Sequence, residues 1–174
     1  MWNPFRRRVV PAVLSAVTIN IPYVGAATFV PDESETRAAW ALYVELVTRV
    51  PVAPVDAEHG SMREVLESIY ALFGETRRVL REAGPRTAGG SGSFAPLAIG
   101  VLNDGLRPFL TKWHSRLASH EDTRETTVTV MEHERTWPER TAWSEELDEL
   151  ANNLRQYADE LLKLSGARRR PSDG

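Results

Sequence analysis

From Trp143 to Leu164 the apolar residues fall at alternating steps of four and three: Trp143, Leu147, Leu150, Leu154, Tyr157, Leu161 and Leu164. An α-helix turns once every 3.6 residues, so this spacing draws one apolar stripe down a single face. A stripe of about six turns has to be buried against other elements. Gly166 follows it as a C-cap. A chain that carries such a helix folds by packing helices around it.

The rest of the sequence agrees. Asp32 with Glu35 marks a helix start, with Ser34 as the other candidate cap, and Ala39, Leu42, Tyr43, Leu46 and Val50 continue at helical spacing until Pro51. The stretch "VPVAPVDAEHG" reads as a linker. A second helix opens with a capping box, Ser61 to Glu64. It buries Val65, Leu66, Ile69, Tyr70, Phe73, Val79 and Leu80, and it stops at Gly84-Pro85. Gly74 inside it costs about 1 kcal/mol relative to alanine, which suggests a neighbour close to the backbone there. "TAGGSGS" (87–93) reads as a flexible loop.

The region from Pro96 to Leu117 is helical but interrupted. Asn103-Asp104-Gly105 is a turn signal, and Pro108 does not fit mid-helix. The expectation is a short helix ending near Leu102 and a second from about Asp104, with Pro108 in its first turn and Leu106, Phe109, Leu110, Trp113 and Leu117 as its apolar stripe. Farther on, "TVTVMEH" (127–133) reads as one short strand.

At the N-terminus, "RRRVVPAVLSAVTINIPYVGAA" imitates a signal peptide, with a basic start and small residues at Ala26 and Ala27. Pro11, Pro22 and Asn20 interrupt it, and a membrane-spanning helix needs about 20 uninterrupted apolar residues. Thr18-Ile19-Asn20-Ile21 alternates as a half-buried strand does, and Val24 to Val30 is a second extended segment. The expected architecture is mainly α: a single four-helix-bundle-like domain with a small N-terminal β-strand or hairpin element. Residues 1–31 form the extended element packed on the bundle, 32–166 the helical bundle and 167–174 a disordered basic tail.

At 174 residues the chain is long enough for one sizeable core, and 42% hydrophobic with 26% charged residues is a globular composition. A net charge of −3 gives no overall basic field for nucleic acid. With no cysteine, disulfides, thiolate catalysis and cysteine-based zinc sites are excluded. Lysine occurs only at Lys112 and Lys163, and the arginine and alanine usage points to a GC-rich bacterial genome. No phosphate loop, dinucleotide fingerprint, G-x-S-x-G elbow or EF-hand is present.

One spacing carries chemistry. In "GLRPFLTKWH" (105–114), Arg107 and His114 stand seven residues apart, so a continuous helix brings both to one face. Arginine holds phosphate and developing charge, while histidine moves protons near neutral pH. This R-x6-H spacing resembles the R-x4–6-H signature of the HEPN ribonucleases, which are also small helical bundles. The resemblance implies metal-independent RNA cleavage with Arg107 and His114 presented together, usually across a dimer interface. Pro108 departs from the polar residue that usually follows the arginine in that family. The alternative reading pairs Arg107 with an acidic neighbour and leaves His114 beside Trp113 at the bundle surface. The blocks "AAWALYVELVTR", "IYALFGETRRVLREAGP" and "VLNDGLRPFLTKWH" look similar to uncharacterised helical proteins of bacteria, with no activity attached.

The remaining candidates are weaker. His133 lies between Glu132 and Glu134, with His114 and His120 upstream and His59 in a linker, but no spacing matches a metal-ligand motif. Arginines cluster at Arg6 to Arg8, at Arg77, Arg78 and Arg81, and at Arg168 to Arg170; acidic runs balance them, and no aromatic interleaving marks a base-stacking platform. Tryptophan is abundant (Trp2, Trp40, Trp113, Trp137 and Trp143), either as core or as interface anchors.

The expectation that follows is a non-enzymatic bundle acting through protein–protein contact. It binds a partner or a second copy, as an accessory or regulatory subunit of a larger bacterial, defence-related system. It is placed in the cytoplasm without stable membrane insertion, and neither cofactor nor metal is expected. The alternative is the HEPN-like ribonuclease or toxin, with RNA as partner and Arg107 and His114 as catalytic residues.

Overall fold

The computed structural model describes residues 16–49, 61–88 and 93–167. Arg6 to Arg8, His59, Trp2 and the tail from Arg168 onward lie outside them. The described chain is mainly helical, with one two-stranded antiparallel sheet.

The expected N-terminal β element takes the form of a hairpin, β1 (Val17–Ile21) and β2 (Gly25–Phe29), in register from Val17 opposite Phe29 to Ile21 opposite Gly25. Alternation turns Ile19 and Ile21 into the core, while Thr18 and Thr28 pair their hydroxyls outside at 2.8 Å. The turn places Tyr23 at φ 68°, an unusual backbone for a residue with a side chain. The strain presents the Tyr23 ring to Gly105, and its hydroxyl accepts a hydrogen bond from Asn153 at 2.5 Å.

Helix α1 (Glu33–Val47) begins as its sequence indicates. Asp32 accepts from the Glu35 N–H, and Glu35 accepts from the Asp32 N–H, closing a capping box. The second oxygen of the buried Glu35 also accepts from the backbone N–H of Phe94, so one carboxylate serves two helix starts. Helix α2 (Met62–Ala83) ends at Gly84, whose φ of 84° only glycine adopts freely. A short 3₁₀ turn follows at Pro85–Ala88.

Four expectations are corrected here. The Ser61–Glu64 capping box does not form, because the buried carboxylate of Glu134 takes that place. Gly74 has no close neighbour: a Cβ there would meet nothing within 4 Å. "TVTVMEH" is no strand. Thr129 and Glu132 form a capping box that starts α5 (Val130–Arg135), and the local cap overrides the β-branched composition. Finally, Asn103-Asp104-Gly105 does not break the chain. Helix α3 (Phe94–Gly100) continues through a π-helical stretch, Val101–Leu106, into α4 (Arg107–Glu121). The wider π turn gives room for the Pro108 ring, which sits in the first turn of α4.

Helix α6 (Arg140–Leu164) buries the whole predicted stripe together with Ala151 and Ala158, and Gly166 beyond its end adopts φ 69°. It packs on α1 and carries β1, while α2 packs between α1 and α4. Trp113, Leu66, Ile69, Leu106 and Leu161 lie at the centre, essentially without solvent contact.

Candidate functional site

The seam between α2 and α4 holds the residues with chemistry. Arg107, His114 and Glu121 are spaced by sevens on α4, and each meets α2. The Arg107 guanidinium lies 5.3 Å from the centre of the Phe73 ring. His114 meets the Tyr70 ring edge to face at 6.3 Å, and Glu121 takes two hydrogen bonds from Arg63, at 3.0 and 2.5 Å. Spacing by sevens is what places residues along one flank of a helix packed on another. The R-x6-H pattern is therefore also a packing row.

Arg107 and His114 share no hydrogen bond or ring contact. Between them lie Phe73 and Tyr70, stacked at 6.1 Å. Arg107 does not find the acidic neighbour expected of it. Its Nε and Nη2 donate to the side-chain oxygen of Asn103, one turn earlier, at 3.3 and 3.0 Å. His114 instead pairs with a different arginine, as Arg63 Nη1 donates to His114 Nδ1 at 3.0 Å. Because arginine always carries its protons, Nδ1 accepts and the imidazole proton rests on Nε2. Burial and the Arg63 charge push the His114 pKa down, against the nearby carboxylates of Glu67 and Glu121, and so favour the neutral ring.

Tyr70, expected on the buried side of α2, is exposed instead; no motif marks it or Arg63, although their spacing carries the signal. Arg63, Tyr70 and Arg77 also repeat by sevens on α2, in the same rhythm as the α4 row.

The histidines considered for a metal go elsewhere. His120 and His133 stack ring on ring at 4.0 Å, nearly parallel, and each Nε2 donates to the backbone carbonyl of the other, at 2.9 and 2.7 Å. Trp137 stacks beyond His120 and meets Trp113 edge to face. Glu132 caps its own helix, while Glu134 accepts from Ser61 Oγ, from Met62 N–H at 3.1 Å and from Arg63 N–H at 3.4 Å. Three neighbouring residues thus point to three different partners. Among the described residues, no three histidine or carboxylate side chains gather in a way that could hold one metal ion.

The other exposed feature is on α1. Trp40, Val44 and Val47, at i, i+4 and i+7, are 47%, 38% and 37% exposed, and Trp40 stacks on Tyr43 at 5.5 Å. Glu33 and Arg37 form an ion pair within this helix, and Glu45 pairs with Arg49 just beyond its end. Trp113, Trp137 and Trp143 are buried, so Trp40 is the interface candidate among the described tryptophans. No described helix is long and apolar enough to cross a membrane. No family model, curated protein or solved structure matches the chain.

Proposed function

We propose that this chain is a non-enzymatic, four-helix-bundle-like interaction protein of the bacterial cytoplasm, an accessory or regulatory subunit that pairs with a second copy of itself through α1. The observation that carries this reading is the exposed stripe Trp40–Val44–Val47. Two copies related by a two-fold axis near Tyr43 and Val44 set Trp40 of each against Val47 of the other, as an isologous contact requires. Identical rims face each other in such a pair, and the internally closed Glu33–Arg37 and Glu45–Arg49 pairs bring no uncompensated charge to it. Trp40 is the aromatic anchor.

Sedimentation over a wide concentration range tests this. The wild type is expected to pass from monomer to dimer. Val44→Asp is expected to remain monomeric, and Trp40→Ala to weaken the dimer about 1,000-fold, the effect of losing two symmetry-related hot spots of about 2 kcal/mol each. A wild type that stays monomeric throughout, or a Val44→Asp dimer of unchanged strength, removes the reading.

One observation favours the second reading, the HEPN-like ribonuclease. His114 is part-exposed, and burial and Arg63 keep it neutral near physiological pH. Against it stands the use of the Nδ1 lone pair by Arg63. Metal-free RNA cleavage by wild type and His114→Ala separates the readings: equal rates, or none, leave the interaction protein, and loss of a real activity in the variant restores the dyad.

A further inference from the structure

The α2 face beside the seam carries an aromatic platform and unpaired cations in one row. Tyr70 is 62% exposed although its ring stacks on Phe73 from one side. A helical side chain covers the turn before its own Cα, so residue 74 is the one that would shelter Tyr70. Residue 74 is glycine, with open space where its Cβ would stand. The helix thus gives up about 1 kcal/mol of propensity at the position that leaves the ring uncovered.

Arg77 and Arg81 continue the row at one-turn spacing after Gly74. Among the described residues neither has an ion-pair or hydrogen-bond partner. Like charges four apart on a helix oppose folding by about 0.2–0.5 kcal/mol, so no folding benefit explains this pair. Arg78 next to them shows the contrast: it is held by both Glu75 and Glu82 on the other side of the helix. Across the seam, Arg107 stacks on Phe73 and, among the described residues, touches no carboxylate. The aromatic interleaving that is missing from the linear sequence is therefore present in space. Arg63, at the other end, is neutralised by Glu121, and Glu67 stands nearby, so the cationic portion runs from Arg107 to Arg81.

We propose that this surface binds single-stranded nucleic acid, one base stacking on Tyr70 while backbone phosphates lie on Arg77, Arg81 and Arg107. An exposed ring accepts any base on its face, and guanidinium groups pair with phosphate oxygens. Arg77 and Arg81 stand one turn apart along α2 and Arg107 lies over Phe73 across the seam, and cations on two helices suit a strand better than a single nucleotide. Stacking of successive base pairs in a duplex hides the faces that the platform needs. Stacking on a ring and pairing with phosphate read no base edge, so this mode of binding is independent of sequence.

Fluorescence anisotropy of short labelled oligothymidylate and oligouridylate at low salt tests the proposal. A mononucleotide, a duplex and anionic vesicles serve as competitors. Tyr70→Ala is expected to weaken binding about tenfold. Arg77→Gln with Arg81→Gln is expected to lower the slope of log affinity against log salt by about 1.4, the share of two phosphates on a single strand. Gly74→Leu removes no binding group and improves helix propensity, yet by covering Tyr70 it is expected to weaken binding as Tyr70→Ala does. That variant separates a lost platform from a misfolded protein. The proposal is overturned if no oligonucleotide binds, if Gly74→Leu and Tyr70→Ala both bind as the wild type does, or if mononucleotide, duplex or vesicles compete as well as the strand. Repeating the measurement in Val44→Asp keeps the result independent of the α1 contact.

Discussion

Glu134 is 3% exposed, yet its carboxylate serves the first turn of a helix 72 residues earlier in the chain. A buried carboxylate is tolerated when donors surround it, and here two backbone N–H groups and a hydroxyl do so at the positive end of α2. Removing it strands those donors in the interior. Glu134→Ala is therefore expected to cost about 2–3 kcal/mol in a urea melt, with Glu134→Gln costing less because one oxygen remains. A loss below about 0.5 kcal/mol in the alanine variant would exclude the capping role. This partnership was not legible in the sequence, whereas the Asp32–Glu35 box was, because that box closes within one turn. Arg107 and His114 show the same limit: their spacing was visible, but the aromatic pair between them comes from another helix. His114 also gives a pH prediction. Its folded pKa lies below the ordinary 6.5 because burial and Arg63 oppose the charged ring. Between those two values the unfolded chain holds more protons than the folded one, so stability rises with pH there and is lost as pH falls through the folded pKa. His114→Gln, which cannot titrate, is expected to flatten that part of the stability curve in thermal melts from pH 7 downward. A curve parallel to that of the wild type contradicts the assignment.

At the scale of elements, periodicity carried what it could. The α6 stripe and the β1 alternation were legible because a single face of each is buried, which stamps the period of the backbone on the sequence. "TVTVMEH" was too short to show a period, so β-branched residues outweighed the Thr129–Glu132 cap that decides it. The π-helical stretch was not legible for a different reason. Asn, Asp and Gly favour turns in isolation, but here Gly105 gives Tyr23 its seat and Gly100 lies against Val24, so the hairpin and the helix are made for each other. Two glycines on different helices test that statement. A Cβ at Gly100 would lie 2.8 Å from a Val24 methyl, on a stiff side chain with little room to move. Gly100→Ala is expected to destabilise the protein by about 1–3 kcal/mol through overpacking. Gly74→Ala, in open space, is expected to stabilise it by about 1 kcal/mol. Chemical denaturation of the two variants side by side gives opposite signs if the hairpin is seated as described, and the same sign if it is not.

At the scale of the whole molecule, α1 has two sides with different fates. Ala38, Ala39, Leu42 and Leu46 face α6 and α2, while Trp40, Val44 and Val47 face outward. The sequence "AAWALYVELV" is apolar nearly all round, so it marks a helix but not which side the fold covers; only the assembled chain leaves one stripe over. That remainder ties stability to concentration. A second copy that binds only the folded chain stabilises it by mass action, and within the dimeric range each tenfold rise in concentration adds about 0.7 kcal/mol per chain. For a chain of this length that raises Tm by about 2 °C. Melts of the wild type at increasing concentration are expected to climb in this way. Val44→Asp is expected to melt at one temperature throughout and to meet the wild-type curve at its dilute end. The substitution sits on the outer stripe, so a Val44→Asp chain that melts well below dilute wild type would mean that the outer face of α1 belongs to the fold itself and not to a contact between copies.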